Sequence, residues 1–197
     1  MKRFEDVEKF ADSQISKLCE WEIRHLDMLH NRLYSPIMDK FMVFVTKTAD
    51  MGTVWILVAL IMMLVEPGFK DGYTLLIALL LAIMIGNLTI KNIVKRHRPF
   101  KHKQYKILIK QPRDYSFPSG HTLSSFAAAT VIVLTNPLCG ILALIYAACV
   151  ALSRLYLRVH FFTDVGVSMV LGTILGIASH YVFKTGIMDF LPMAVVK

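Results

Sequence analysis

The sequence predicts an all-α fold, a polytopic membrane helix bundle of five to six membrane helices with an N-terminal amphipathic helix. Three observations predict it. Apolar residues make up 55% of the 197-residue chain, and mean hydropathy is +0.54, both high for a soluble domain. The apolar residues gather into runs of near-membrane length. Charged residues avoid those runs and crowd into the N-terminal third and the stretch 91–113. The length suits one domain, read here as an amphipathic segment over 1–35 and a transmembrane core over 36–197.

The elements follow in chain order. Val7, Ala11, Ile15 and Leu18 recur at helical spacing with charged residues on the other faces, and Trp21, Ile23 and Leu26 continue the apolar content. That pattern predicts an amphipathic helix lying on the membrane or against the bundle, and its position before the core alone suggests that it borders the entry route of a lipid; an ordinary surface helix is the plainer alternative. Acidic residues follow Met1-Lys2-Arg3 where a signal peptide needs an apolar core, so no cleavable signal is expected. Residues 36–49 carry several charges and fit either a sixth membrane element or an interfacial one. A spanning helix needs about 20 mainly apolar residues. Segments 53–65, 74–93, 137–157 and 164–183 meet or approach this, and 122–135 is a shorter fifth that ends at Asn136-Pro137. Between 94 and 118 the chain is basic and broken by Pro99, Pro112 and Pro118, a polar loop at one membrane surface.

The net charge of +8 fits an anionic membrane surface or a phosphorylated ligand. No nucleic-acid motif accompanies it, and nothing in the sequence specifies an oligomeric state. Cys19, Cys139 and Cys149 are an odd count without metal-site spacing, so neither a disulfide framework nor a zinc site is expected.

Three clusters sit at predicted helix ends, and alternation of the spans brings all three to one membrane face. The first holds Lys91 and Arg98-Pro99; seven residues apart, the two cations would share one side of a continuing helix. An ammonium and a guanidinium suit a phosphoryl group, although a basic membrane flank would look the same. The second is Pro118-Ser119-Gly120-His121. Gly120 permits close backbone approach, and the helix that starts there offers N–H groups and a positive dipole end to an anion. Ser119 can donate its hydroxyl and His121 a proton to a leaving oxygen; a plain N-cap beside an incidental histidine is the alternative. The third runs from Ser153-Arg154 through His160 to Asp164. Arg154 adds a cation, and a carboxylate four residues after His160 can fix its tautomer and leave the other nitrogen nucleophilic. Such a cationic cage lacks the clustered carboxylates of a metal phosphatase, so no metal and no cofactor is expected.

Lys91-x6-Arg98-Pro99, Pro118-Ser119-Gly120-His121 and Ser153-Arg154-x5-His160-x3-Asp164 resemble the three signature motifs of the type 2 phosphatidic acid phosphatase superfamily, complete and in order. The resemblance covers 53–183 well and the N-terminal third poorly. It implies that His160 takes the phosphoryl group and that Asp164 orients it. His121 would protonate the leaving lipid oxygen and then activate water, while Lys91, Arg98, Arg154, Ser119 and the Gly120 amide hold the phosphate oxygens. Lys95, Arg96, His97 and Arg158 lie outside the pattern and receive no catalytic role.

The compact core looks most like undecaprenyl-diphosphate phosphatases. Phosphatidylglycerophosphate, phosphatidate and lipid A phosphatases are the alternatives, and a catalytically silent lipid-binding membrane protein is a reading of another class. The superfamily's soluble acid phosphatases and haloperoxidases fit poorly with the uncharged spans. Counted by the positive-inside rule, the motif face is the cation-rich one, against Lys70, Lys184 and Lys197 on the other. Several of those cations would serve phosphate, which weakens the count, and the resemblance implies a bacterial cell-membrane protein whose site faces the extracytoplasmic side, where bacterial members of the superfamily generally place it.

Overall fold

The computed structural model describes residues 2–65 and 70–182, with side chains from Ser16 onward. The expected Val7, Ala11 and Ile15 face, residue 183, Lys184 and Lys197 therefore lie outside the described residues. The described elements are helical: α1 (Lys2–Leu33), α2 (Pro36–Thr48), a 3-10 turn (Asp50–Gly52), α3 (Thr53–Val65), α4 (Lys70–Leu81), a π-helix (Ala82–Ile90), α5 (Lys91–Val94), α6 (Pro99–His102), α7 (Gly120–Thr135), α8 (Pro137–Tyr156) and α9 (Phe162–Val182).

Every apolar run becomes a helix at its expected place. Three stretches, Lys70–His102, Pro137–Tyr156 and Phe162–Val182, are long and apolar enough to cross a membrane. Helices α2 and α3 meet at a 47° bend and are long and apolar enough for a fourth span only when taken together, as a broken crossing or a re-entrant pair. The bend falls where Met51 (φ 53°) and Gly52 (φ 71°) adopt left-handed backbone. Residues 36–49 thus form the helix that precedes the bend. Leu57, Leu64, Leu138, Leu142 and Val170 stand exposed around the bundle, an apolar belt that a bilayer would cover.

Helix α7 is the centre. It is apolar throughout and buried on several sides, packing on α9, α8 and α4, as expected for a helix without a solvent face. Close approach depends on small residues, as is usual between membrane helices. A Cβ on Gly172 would lie 2.5 Å from the Leu123 carbonyl oxygen, and one on Gly176 2.7 Å from that of Ala127. On the other side, a Cβ on Gly86 of the π-helix would meet Leu123 at 2.2 Å.

Helix α1 lies on this core by a stripe of Cys19, Ile23, Leu26 and Leu29, while Trp21 is exposed. Between α6 and α7 the chain runs without regular structure. Ile107, Leu108 and Ile109 pack beside Met42, Tyr156 and Val159, and Lys103 pairs with Asp27 of α1 at 2.7 Å. The loop is thereby folded back over the end of the bundle that carries the motifs.

Gly176→Val is expected to overpack the α7–α9 seam by about 1–3 kcal/mol, lowering the melting temperature of the detergent-purified protein by several degrees. Gly166→Ala, whose added Cβ meets nothing within 4 Å, should leave it unchanged in the same thermal scan.

Candidate active site

His160 is fixed by helix caps on both sides. Helix α8 ends in a Schellman arrangement: the Val159 amide donates to the Arg154 carbonyl at 3.2 Å and the Arg158 amide to that of Leu155 at 2.9 Å. Arg158 takes the left-handed position (φ 55°) where glycine is usual. Helix α9 then starts with Asp164 in its first turn, whose Oδ2 accepts the Phe161 amide at 2.9 Å. An acidic side chain reaching back over a helix start satisfies an otherwise unpaired donor and suits the dipole. The two caps confine His160 to a short turn, almost completely buried.

The ring's hydrogen bonds define its tautomer. Arg98 Nη1, which can only donate, lies 3.0 Å from His160 Nε2, so Nε2 carries the lone pair and Nδ1 the proton. Nδ1 faces Ser116 Oγ at 3.5 Å and Asp164 Oδ2 at 3.6 Å. The Ser116 hydroxyl donates to the same Asp164 oxygen. Asp164 is fully buried. Burial, followed by the charges of Arg98, Arg154 and Lys91, holds the His160 pKa well below the ordinary histidine value of 6.5. The imidazole is therefore neutral at neutral pH, the state a nitrogen nucleophile requires.

The cations gather around this ring by a route the heptad spacing does not suggest. The helix carrying Lys91 stops at Lys95 (φ 51°), and Arg98 is extended (φ −81°, ψ 156°) before Pro99, as the residue before a proline prefers. Lys91 and Arg98 are thus not two turns apart on one helix. Chain reversal brings them together, and both grip one carboxylate: Asp114 Oδ2 lies 2.6 Å from Lys91 Nζ and Asp114 Oδ1 2.7 Å from Arg98 Nη2. Arg98 also donates to the Asp114 and Val159 carbonyls at 2.9 and 2.7 Å. Burial would raise the Asp114 pKa, but Arg98 and Lys91 outweigh it and hold the carboxyl at about 2. Arg154, buried at the end of α8, donates to Thr46 of α2.

The α7 start supplies the remaining group. His121 Nε2 meets Asp50 Oδ1 of the 3-10 turn at 2.7 Å. Gly120 is required by proximity, since a Cβ there would fall 2.6 Å from Asn87 Oδ1. A cavity of about 370 Å³ joins Lys91, Arg98, Gly120, His121, Arg154 and His160, with Asn87 and Asp114 also on its wall. Its other wall is apolar: Ile56 of α3, Leu79 of α4, and Ala82 and Ile83 of the π-helix. Two expected site residues stand off this wall. Asp164 lies behind His160. Ser119 is fully buried, its hydroxyl against Thr122 Oγ1 at 3.0 Å and its amide donating to Ser168 Oγ at 2.8 Å. No described residue of α1 lines the cavity either.

Residues outside the three motifs complete the site: Glu22, Thr46, Asp50, Arg96, Asp114 and Ser116. One carried a signal in the sequence, for Asp114 is the only acidic residue between Lys91 and Ser119. A lone carboxylate among so many cations implies a paired one. Chemically, the arrangement offers a neutral, oriented imidazole, a second histidine held by a carboxylate, and three cations around a helix N-terminus, a fit for phosphoryl transfer. Among the described residues, no three His, Cys, Asp or Glu side chains group so as to hold a metal ion.

Comparison with known proteins agrees with this chemistry. Residues 72–187 match the family model of the PAP2 superfamily. An undecaprenyl-diphosphatase of Sulfolobus acidocaldarius is 34% identical over 151 residues, which span 76% of this chain and 72% of that protein. A decaprenylphosphoryl-5-phosphoribose phosphatase of Mycobacterium tuberculosis is 37% identical over 87 residues, 44% of this chain and 48% of the relative. Among solved structures, Aquifex aeolicus LpxE superposes with a TM-score of 0.71 at 25% identity, covering 81% of this chain and 94% of its own. The fold is also that of a transmembrane PAP2 type phosphatidylglycerolphosphate phosphatase from Bacillus subtilis, with TM-score 0.68, 21% identity and coverage of 92% and 89%.

Since Asp114 occupies the donors that a tetrahedral oxyanion would use, Asp114→Asn should tighten binding of orthovanadate by about tenfold, equivalent to about 1.4 kcal/mol. Isothermal titration of the purified protein reads this directly. Weaker binding would mean that Asp114 organises the cations rather than competing for them.

Proposed function

The chain belongs to the PAP2 superfamily, and from that membership we propose that it hydrolyses a lipid diphosphate, undecaprenyl diphosphate in preference to phosphatidate, through a phosphohistidine on His160. The observation that carries the reading is the two-sided cavity. Cations and histidines line one wall and aliphatic side chains the other, which matches a phosphorylated head joined to a hydrocarbon tail. The preference for a polyprenyl diphosphate rests on the relative whose substrate is named as such.

The steps follow from the residues. Lys91, Arg98, Arg154 and the Gly120 amide hold the terminal phosphate oxygens once Asp114 has given up its place. Ser119 can join only if its hydroxyl leaves Thr122. His160 Nε2 attacks phosphorus, the N–P bond forms, and the bridging P–O bond breaks. His121 gives its proton to the departing lipid phosphate. The ring, now carrying the phosphoryl group, is cationic, and Asp164 beside Nδ1 stabilises it. His121, neutral again, takes a proton from water; the oxygen attacks phosphorus, the P–N bond breaks, and inorganic phosphate leaves. The three cations and the helix N-terminus carry the transition-state charge, and no step calls for a metal ion. The cavity opens on the extracytoplasmic side of a bacterial membrane, where the loop over 103–119 would be exposed.

Detergent-purified protein with chelator present is expected to release phosphate from undecaprenyl diphosphate faster than from phosphatidate. His160→Ala should abolish release, and His121→Ala should lower it by about 10²–10⁴-fold. Equal rates on the two lipids would overturn the diphosphate preference, and release that survives His160→Ala would overturn the phosphohistidine. For orientation, a Lys103→Cys variant in intact cells should react with an impermeant maleimide. Reaction only after permeabilisation would put the site on the cytoplasmic side.

A further inference from the structure

Glu22 is a fully buried carboxylate on a helix none of whose described residues lines the cavity. Its Oε1 accepts the Thr163 amide at 2.8 Å and the Thr163 hydroxyl at 2.9 Å, and its Oε2 lies 2.5 Å from Arg96 Nη2. Arg96 Nη1 in turn reaches Asp164 Oδ1 at 2.7 Å and Thr163 Oγ1 at 2.6 Å. The guanidinium lies over the Phe161 ring, 3.9 Å from its centroid. A continuous chain of charge-assisted contacts therefore runs from α1 to the carboxylate behind His160.

Two buried carboxylates around a partly buried guanidinium are a poor way to attach a helix, because desolvation offsets most of the Coulomb gain and apolar replacements commonly do as well. The apolar stripe of α1, with Leu26 at its middle, already serves that purpose. The geometry points to another role: we propose that Glu22 and Arg96 are positioning residues, through which α1 orients Asp164 on His160 and sets the charge that faces the ring. Arg96 takes one oxygen of Asp164, leaving Oδ2 to the Phe161 amide, Ser116 and His160. Arg96 alone would cancel the charge of Asp164. With Glu22 the trio keeps a net charge of −1, placed behind a ring that becomes cationic when phosphorylated. The role rests on the phosphohistidine reading and extends it to the N-terminal helix.

The test is kinetic and compares Glu22→Gln, Arg96→Gln and Arg96→Lys in the full-length detergent-purified protein. Each should lower kcat by about 10–100-fold, as loss of a histidine's outer partner commonly does, with KM within about twofold, since neither residue touches the cavity. The acid limb of kcat/KM discriminates. Lys91, Arg98, His121, Arg154 and Asp164, the other charged or titratable groups facing the ring, are the same residues in every variant. Glu22→Gln removes a negative charge, disfavours the protonated ring and moves the limb to lower pH. Arg96→Gln removes a positive charge and moves it to higher pH, and Arg96→Lys, keeping charge but not the two-pronged grip, leaves it in place. Limbs that stay together, or wild-type kcat in Glu22→Gln, would overturn the proposal. Should a single variant fail to fold, Glu22→Met with Arg96→Met removes one charge of each sign and leaves the net charge behind the ring at −1; it should fold with reduced kcat and an unmoved limb, and wild-type kcat there would also refute the role. Wild-type protein runs in parallel on both lipids and on p-nitrophenyl phosphate. If it cleaves none, the phosphatase reading has failed, and nitrogen NMR of the His160 ring decides the positioning role instead. The Nδ1 resonance, whose proton faces Asp164 and Ser116, should shift in Arg96→Gln as Asp164 loses its partner on Oδ1; an unchanged resonance would reject the role.

Discussion

Four cations gathered at one end of an apolar bundle are the constraint on which the rest of this structure depends. Lys91, Arg98 and Arg154 are buried and Arg96 is partly buried, near a ring that must stay neutral, and repulsion among them would be severe in so poor a dielectric. Each is tolerated because a different part of the chain brings it an acceptor. The α6–α7 loop brings Asp114 to Lys91 and Arg98, α1 brings Glu22 to Arg96, α9 brings Asp164, and α2 brings Thr46 to Arg154. The course of the loop and the seating of the N-terminal helix can both be read as answers to that charge. So can the bend between α2 and α3, which places Asp50 beside His121.

Geometry of the bundle explains why the same cluster can act on a lipid. Helix α7 has 16 residues where α8 and α9 have 20 and 21, so at about 1.5 Å per residue it is shorter than its neighbours by roughly 6–8 Å. The cavity at its N-terminus has an aliphatic wall made by α3, α4 and the π-helix. Cationic and apolar walls in one cavity let head and tail be held together. Small residues along α9 make this possible, because they let α9 and α7 approach closely enough to leave the space on the opposite flank.

Much of this was legible in the sequence, for a physical reason. Lys91, Arg98, Gly120, His121, Arg154 and His160 all lie at or near helix ends, and the alternation of apolar runs was enough to bring those ends to one face. What the sequence did not disclose are the partners. Asp50 is 71 residues from His121, Thr46 108 from Arg154, and Glu22 141 from Thr163. Periodicity reports neighbours within a turn or two and is silent about which helix comes alongside. Arg96 received no catalytic role because its contacts are with such distant neighbours. Glu22 drew no reading of its own, yet it falls on the buried stripe between Cys19 and Leu26. The path joining Lys91 to Arg98 was misread because a left-handed residue at Lys95 leaves no periodic trace.

The π-helix over Ala82–Ile90 has a consequence for how this wall can vary. Thr89 Oγ1 bonds the Met84 carbonyl five residues back, and the wider winding brings Ala82, Asn87 and Lys91 onto one side of the cavity. Outward-facing side chains along this stretch, such as Met84 and Leu88, can be exchanged with the winding intact. Its length is another matter. A residue gained or lost that the winding did not absorb would swing everything after it by roughly 100° about the axis, carrying Lys91 away from its partner. In this part of the chain a change in residue count would therefore disturb the site more than the exchange of an outward-facing side chain.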